Sequence, residues 1–124
     1  MGHYTIGVDN LSSGERRYSG LADEFIWDDV KGITAEMLQG VDWVFHTAAL
    51  PRVPYSIEHP VETHEANVNQ TLSLLIACKN AGVKKVIYSS SSSVYGGQDN
   101  YPTKETDRTI PLSPYAVQKL AAEL

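Results

Sequence analysis

The sequence predicts an α/β domain built on a parallel sheet, and two observations lead there. Short apolar runs of strand length alternate with segments of helical spacing. The run Val41-Asp42-Trp43-Val44-Phe45-His46-Thr47 is also nearly continuous in apolar character, as a strand covered on both faces should be.

The elements follow in chain order. Tyr4 to Asp9 reads as a short strand ending in an acid, and Asn10-Leu11-Ser12-Ser13-Gly14 after it is turn chemistry. Glu24 to Trp27 is a second strand, closed by Asp28-Asp29, and a short helix is expected over Thr34 to Gln39, stopped by Gly40. Val41 to Thr47 is the third strand, and a loop from Pro51 to Ile57 follows. A long helix runs from about Pro60 to Ala81. Pro60 is tolerated in a first turn, Val61, Val68, Leu72, Leu75 and Ile76 recur at helical spacing, and Gly82 is a C-terminal stop. Val83 to Tyr88 is the fourth strand. Five serines, Ser89 to Ser93, come directly after it, then Val94-Tyr95-Gly96-Gly97 and a polar loop. Ser113 is placed to cap a helix that has Pro114 at its first position and runs from Tyr115 to Leu124.

A serine run by itself reads as a linker. In a parallel sheet, however, ligands bind beyond the carboxyl ends of the strands, and these serines sit at such an end. They are a site candidate.

Composition narrows the partners. The chain has 124 residues and a formal net charge of -5, enough for one domain or part of one. Lys84-Lys85 is its densest basic spot, too little to track phosphates, so no nucleic-acid partner is expected. No apolar run approaches the ~20 residues needed to span a bilayer, and no signal-peptide core is visible at the start. The single cysteine, Cys78, cannot form an internal disulfide and fits a reducing compartment, so a cytoplasmic setting is expected. The Asn-x-Ser/Thr sequences at Asn10 and Asn69 then carry no glycan. His3, His46, His59 and His64 lack metal-ligand spacing, and no metal is expected. His46 reads as a core residue at the end of its strand, and Cys78 as packing.

Chemistry concentrates in Tyr115-Ala116-Val117-Gln118-Lys119. The tyrosine and lysine are four apart and share one helix face, displaced by about 6 Å along the axis. A phenol ionises near pH 10, so bringing it to about 7 needs roughly 4 kcal/mol of preferential stabilisation of the phenolate. A nearby ammonium together with a cationic cofactor ring supplies that; one surface lysine does not.

Taken with Val8 to Gly14, Val44-Phe45-His46-Thr47-Ala48-Ala49, Asn67-Val68-Asn69, Ser89 to Gly96 and Ser113-Pro114-Tyr115, this pair gives the chain a family likeness. Over essentially all 124 residues it resembles an extended short-chain dehydrogenase/reductase of the nucleotide-sugar epimerase/dehydratase group. The resemblance implies roles. Tyr115 is the general base and acid on a sugar hydroxyl, and Lys119 holds the nicotinamide ribose and depresses the tyrosine's pKa. The family's catalytic Ser or Thr lies four residues before the tyrosine of Val-Tyr-Gly, which is Ser91 here, with Ser90 and Ser92 as its neighbours. Asp9 binds adenosine ribose hydroxyls and would repel a 2′-phosphate, favouring NAD over NADP. Asn10, Asp29 and Val30 surround the adenosine. Ala48 and Ala49 let backbone approach the cofactor, and Ser89 lines it. Asn67 either lies near the cofactor or is a buried hydrogen-bonding amide. Ser91, Ser92 and Arg52 face substrate, Arg52 having an exposed loop position as its alternative.

Within the family, 4,6-dehydratases carry Asp-Glu directly after the catalytic threonine, where this chain has Ser92 and Ser93. Decarboxylases carry Glu just before Val-Tyr-Gly, again Ser93 here. The serine-type arrangement of UDP-hexose 4-epimerases remains, and Val53-Pro54-Tyr55-Ser56-Ile57 is similar to a Val-Pro-x-Ser-Ile stretch of those acting on UDP-hexoses, including N-acetylated ones. A dehydratase, a reductase or a non-catalytic dinucleotide-binding relative is the alternative. The resemblance also implies that residues 1–124 are a partial NAD-binding, Rossmann-like domain. In that reading an incomplete doubly wound parallel sheet lacks its first strand, its glycine-rich turn and the C-terminal substrate domain. A homodimer of the parent protein is expected through the Pro60–Ala81 helix and the helix from Pro114. The chain alone is expected neither to bind NAD tightly nor to turn over substrate.

Overall fold

A computed structural model describes residues 2–97 and 101–124. Met1, which the sequence reading places ahead of the first strand, lies outside the described residues. Among the described residues, four short strands form two parallel pairs. Strand β1 (Ile6–Asp9) lies beside β2 (Glu24–Trp27), with Asp9 opposite Trp27. Strand β3 (Trp43–His46) lies beside β4 (Lys85–Tyr88), with His46 opposite Tyr88. Among the described residues no strand joins one pair to the other. The parallel pairing is the one the sequence predicts, and among the described residues both pairs leave ladder edges open.

The helices depart from expectation in three places. Thr34 to Gln39 is a series of turns, not a helix: Leu38 N–H donates to the Ala35 carbonyl and Gln39 N–H to that of Glu36, each three residues back. Six residues do not repay the cost of helix nucleation. Conversely, the expected loop at Pro51 to Ile57 contains helix α1 (Val53–Glu58), begun by Pro54 in its first turn. It too is short, but its Ser56 is fully buried and anchored in the site described below.

The long helix is present as α2 (Pro60–His64), a π-helical turn at Glu65–Asn69, and α3 (Gln70–Ala81). Its C-terminus closes with Val83 N–H on the Cys78 carbonyl and Gly82 N–H on that of Lys79, with Gly82 at a φ of 76°. The third departure is that this run is not one continuous α-helix but is interrupted by the π-helical turn. Of the apolar residues at helical spacing, Val61, Leu72, Leu75 and Ile76 are exposed and Val68 is half-buried; Thr63, Asn67, Thr71, Leu74 and Cys78 turn inward. The inward row keeps a helical spacing of three and four, but three of its five residues are polar, so a search for apolar periodicity selects the outer side.

Helix α4 (Pro114–Glu123) completes the chain and packs against α1, α2, the π-helical turn and a 3₁₀ turn at Ser92–Tyr95. Tyr115, Ala116, Gln118 and Lys119 of this helix are buried, as is Val94 of the 3₁₀ turn; Leu74, Ala77 and Cys78 are buried on α3, which packs against the turn at Val30–Gly32. Cys78 is packing, as expected, and burial pushes its thiol up from its usual value. Strand β3 is covered on one face only: His46 is buried, while Trp43 and Phe45 remain exposed on the other. Among the described residues no helix is long and apolar enough to cross a membrane.

Candidate active site

The site is built on the start of α4. Ser113 caps the helix, its hydroxyl accepting from the Ala116 N–H at 3.2 Å, and Pro114 fills the first helical position. The Tyr115 N–H, which has no intrahelical carbonyl to meet, donates to the Ser56 hydroxyl of α1 at 3.1 Å. Ser56 in turn donates to the Val53 carbonyl at 2.7 Å. The first turn of α4 is therefore held from outside by a fully buried serine. The sequence places Ser56 in a loop, within the Val-Pro-x-Ser-Ile resemblance, and assigns it no role of its own.

Tyr115 and Lys119 share the buried face, as their spacing predicts, and are 7% and 3% exposed. The Lys119 ammonium donates to the Ser89 carbonyl at 2.8 Å, 4.7 Å from the Tyr88 ring centre and 6.0 Å from that of Tyr115. It is thus anchored to the first residue beyond β4, with aromatic faces on two sides. Burial lowers its pKa from the ordinary lysine value. Among the described residues no hydrogen bond occupies the Tyr115 phenol; the Tyr88 hydroxyl is buried without a partner and is pushed up to about 12, first of all by burial.

The serine run is a turn with divided tasks. Ser89 supplies its carbonyl to Lys119, and Ser90 donates to the Glu123 carboxylate. Ser91 caps the 3₁₀ turn, accepting from the Ser93 N–H at 3.2 Å, and its hydroxyl meets that of Ser93 at 2.8 Å. Ser92 is exposed. The turn then passes through Gly96 at a φ of 65°, where a Cβ would collide with the Ile110 carbonyl. Ile110 is tied back by its N–H to the Val94 carbonyl at 3.0 Å. Glycine in Val-Tyr-Gly is thus required by both backbone conformation and space.

At the end of β3, His46 Nε2 lies 2.9 Å from the Thr71 hydroxyl, which donates its own proton to the Asn67 carbonyl at 2.9 Å. The Thr71 oxygen must then accept, so His46 carries its proton on Nε2. Burial, with the Lys119 charge second, lowers the pKa of His46 and keeps the ring neutral. Beyond His46 the chain passes exposed Thr47 and Ala48, half-buried Ala49, and reaches Leu50. The Leu50 N–H and carbonyl are both bound by the Asn67 amide, at 2.8 and 3.2 Å. Of the two roles open to Asn67 in the sequence, the buried amide is the one with observed partners. Arg52 is exposed, just ahead of α1.

A second group forms past β1 and β2. The Asp9 carboxylate accepts from the Leu11 N–H at 2.6 Å, and a Cβ on Gly14 would stand 3.2 Å from it. Asn10 donates to Asp29 at 3.0 Å, and Trp27 donates to the Asn10 carbonyl at 3.1 Å. Asp29 caps a turn formed by Val30, Lys31 and Gly32. The four predicted adenosine residues therefore converge, and the acid lies against a residue without a side chain.

The carboxyl ends of parallel strands thus carry an acidic group at one place and a buried Tyr–Lys pair beside a serine turn at another. The model of the NAD dependent epimerase/dehydratase family matches residues 1–124. The chain belongs to this family. A UDP-glucose 4-epimerase of Azospirillum brasilense is 35% identical over 95% of the chain. Among solved structures, the UDP-N-acetylglucosamine 4-epimerase of Methanobrevibacter ruminantium, in complex with UDP-N-acetylmuramic acid, is 40% identical over 95% of the chain with a TM-score of 0.88. The UDP-glucose 4-epimerase of Stenotrophomonas maltophila, with bound NAD and a formylated UDP-arabinopyranose, is 34% identical over 98% with a TM-score of 0.91. Similar structures include nucleotide-sugar dehydratases as well. The chain spans 35% of the Azospirillum protein and 40% of each of these two structures. The α/β, Rossmann-like reading of the sequence agrees with these family members.

Proposed function

We propose that the protein carrying this chain is an NAD-dependent nucleotide-sugar 4-epimerase acting on a UDP-hexose. The observation that carries the reading is the Lys119 ammonium, buried on the Ser89 carbonyl with Tyr115 one turn earlier on the same face. NAD fits the residues present: Asp9 against Gly14 suits a ribose diol, small Ala48 and Ala49 leave room beyond β3, and two Lys119 N–H groups stay available for a second ribose. When bound, NAD takes up hydride from C4 of the sugar and returns it to the other face.

The chain's own residues handle the proton. Tyr115 accepts the C4 hydroxyl proton as the ketone forms and gives it back after the sugar has turned over. Lys119 places a positive charge 6.0 Å from the Tyr115 ring, where it offsets the negative charge that passes through the site as the proton moves. A serine hydroxyl, Ser91 by position, donates to the reacting oxygen and steadies it. Its link to Ser93 keeps that hydroxyl in the turn. Ser92 and Arg52, both exposed, are assigned to the substrate side.

Epimerisation is favoured over elimination because positions 92 and 93 hold hydroxyls. Loss of water from the sugar needs a carboxylate pair, which this turn does not carry. The exposed Val61, Leu72 and Ile76 support a homodimer of the whole protein, and its setting is taken as cytoplasmic. The 124 residues alone supply the acid/base pair without a continuous sheet, so they are proposed not to hold NAD tightly; micromolar binding by isothermal titration would overturn that. The function is tested with protein expressed from the complete gene. Adding UDP-glucose or UDP-N-acetylglucosamine should yield the 4-epimer, with Tyr115→Phe reducing turnover by about 10²- to 10⁴-fold. Formation of a dehydrated sugar instead would establish the dehydratase alternative.

A further inference from the structure

Gln118 lies between the two residues assigned to proton transfer, is 3% exposed, and makes no contact that the proposed chemistry requires. Its partners lie on the long helix. Gln118 Oε1 accepts from Asn67 Nδ2 at 2.9 Å, and Gln118 Nε2 donates to the Thr63 hydroxyl at 2.9 Å and approaches the Pro60 carbonyl at 3.4 Å. Asn67 grips both backbone groups of Leu50, two residues beyond Ala48.

The direction of every bond in this chain is fixed from its ends. Leu50 N–H can only donate, so Asn67 presents its oxygen there and its amino group to Gln118 and to the Leu50 carbonyl. Gln118 must then present its own oxygen to Asn67 and its amino group to Thr63, whose proton goes to the His59 carbonyl at 3.0 Å. A primary amide meets both demands at once: it accepts on one side and donates on the other. The π-helical turn at Glu65–Asn69 contains Asn67, so an irregularity in the long helix coincides with this contact.

We propose that Gln118 is a positioning residue, setting α4 in register with the Thr47–Leu50 segment through Asn67, and so placing Tyr115 and Lys119 relative to the cofactor and sugar. This rests on the 4-epimerase reading of the same site. The spacing of Tyr115 and Lys119 is internal to the helix, and the lysine is anchored independently on Ser89. Loss of Gln118 therefore lets the helix shift about that anchor and carries Tyr115 off the reacting oxygen, which affects the chemical step more than substrate capture.

The test uses protein from the complete gene, UDP-glucose as substrate, and activity counted per folded site. Gln118→Met, equal in length but apolar, should lower kcat by about 10- to 100-fold, with KM for UDP-glucose changed by less than about threefold. Hydrogen exchange at the Leu50 amide should quicken by about tenfold or more. Combined with Asn67→Ala, the two kcat losses should fail to multiply, since both cut one chain. If Gln118→Met does not fold, Gln118→Ala is read the same way; it removes both the acceptor for Asn67 and the donor to Thr63. A folded variant with kcat within about twofold of wild type, or losses that multiply fully, overturns the proposal. Tyr115→Phe serves as the control. If it keeps turnover, the site reading fails and the inference with it; if it is inactive while Gln118→Met is not, the inference alone fails.

Discussion

The Lys119 ammonium donates to the carbonyl of Ser89 at 2.8 Å, which joins the middle of α4 to the first residue past β4. One bond thus ties the helix bearing Tyr115 to the turn bearing the serines. The lysine is charged in a nearly closed slot, and burial opposes that charge.

Lys119→Met should therefore separate function from stability. Turnover by the whole protein should fall by about 100-fold or more, because the phenolate loses its neighbouring charge. The melting temperature should hold or rise, since a buried ammonium is replaced by an apolar chain of similar length. Steady-state kinetics and calorimetry on the same preparation check both.

Gly96→Ala should be among the most damaging single substitutions. The new methyl meets the Ile110 carbonyl, and the backbone there sits at a φ of 65°. A loss of at least about 2 kcal/mol is expected from strain and collision together, measured by urea unfolding.

Helix capping makes a milder prediction. Ser113→Ala removes the acceptor for the Ala116 N–H and should cost about 1 kcal/mol. Ser113→Asp should restore most of it, because a carboxylate accepts the same bond.

His46 gives the pH dependence. Its folded pKa lies below the ordinary 6.5, first through burial and then through Lys119. The folded state binds this proton less readily than the unfolded state. The stabilisation is thus fully present above pH 6.5 and is lost as pH falls through the folded value. Thermal unfolding between pH 8 and 5 should show that slope, and His46→Gln should flatten it.

Much of this was legible in the sequence because it depends on local rules. The strand cores, the Ser113–Pro114 start of α4 and the Gly82 stop are read from propensity and capping within a few residues. The Tyr115–Lys119 face follows from helical spacing. What was not legible depends on partners distant in the chain. Thr63, Asn67 and Thr71 form a polar row that looks like the solvent side of a helix until Gln118 and His46 are brought against it. Apolar spacing alone picks out the Val61–Leu72–Ile76 side, which is exposed. Ser56 illustrates the same limit, since a loop serine gains its meaning only when the Tyr115 N–H arrives from 59 residues away. Within the serine run, sequence distance nominated Ser91, while the structure shows Ser89, Ser90, Ser91 and Ser93 each engaged differently.

The most direct measurement is the stereochemistry at C4. Protein expressed from the complete gene is incubated with UDP-glucose, and the sugar is followed by proton NMR, wild type beside Tyr115→Phe. The account predicts a mixture of the gluco and galacto epimers from the wild type and unchanged UDP-glucose from the variant over the same period. Equal epimerisation by Tyr115→Phe, or a product that has lost water while C4 is never inverted, would contradict it.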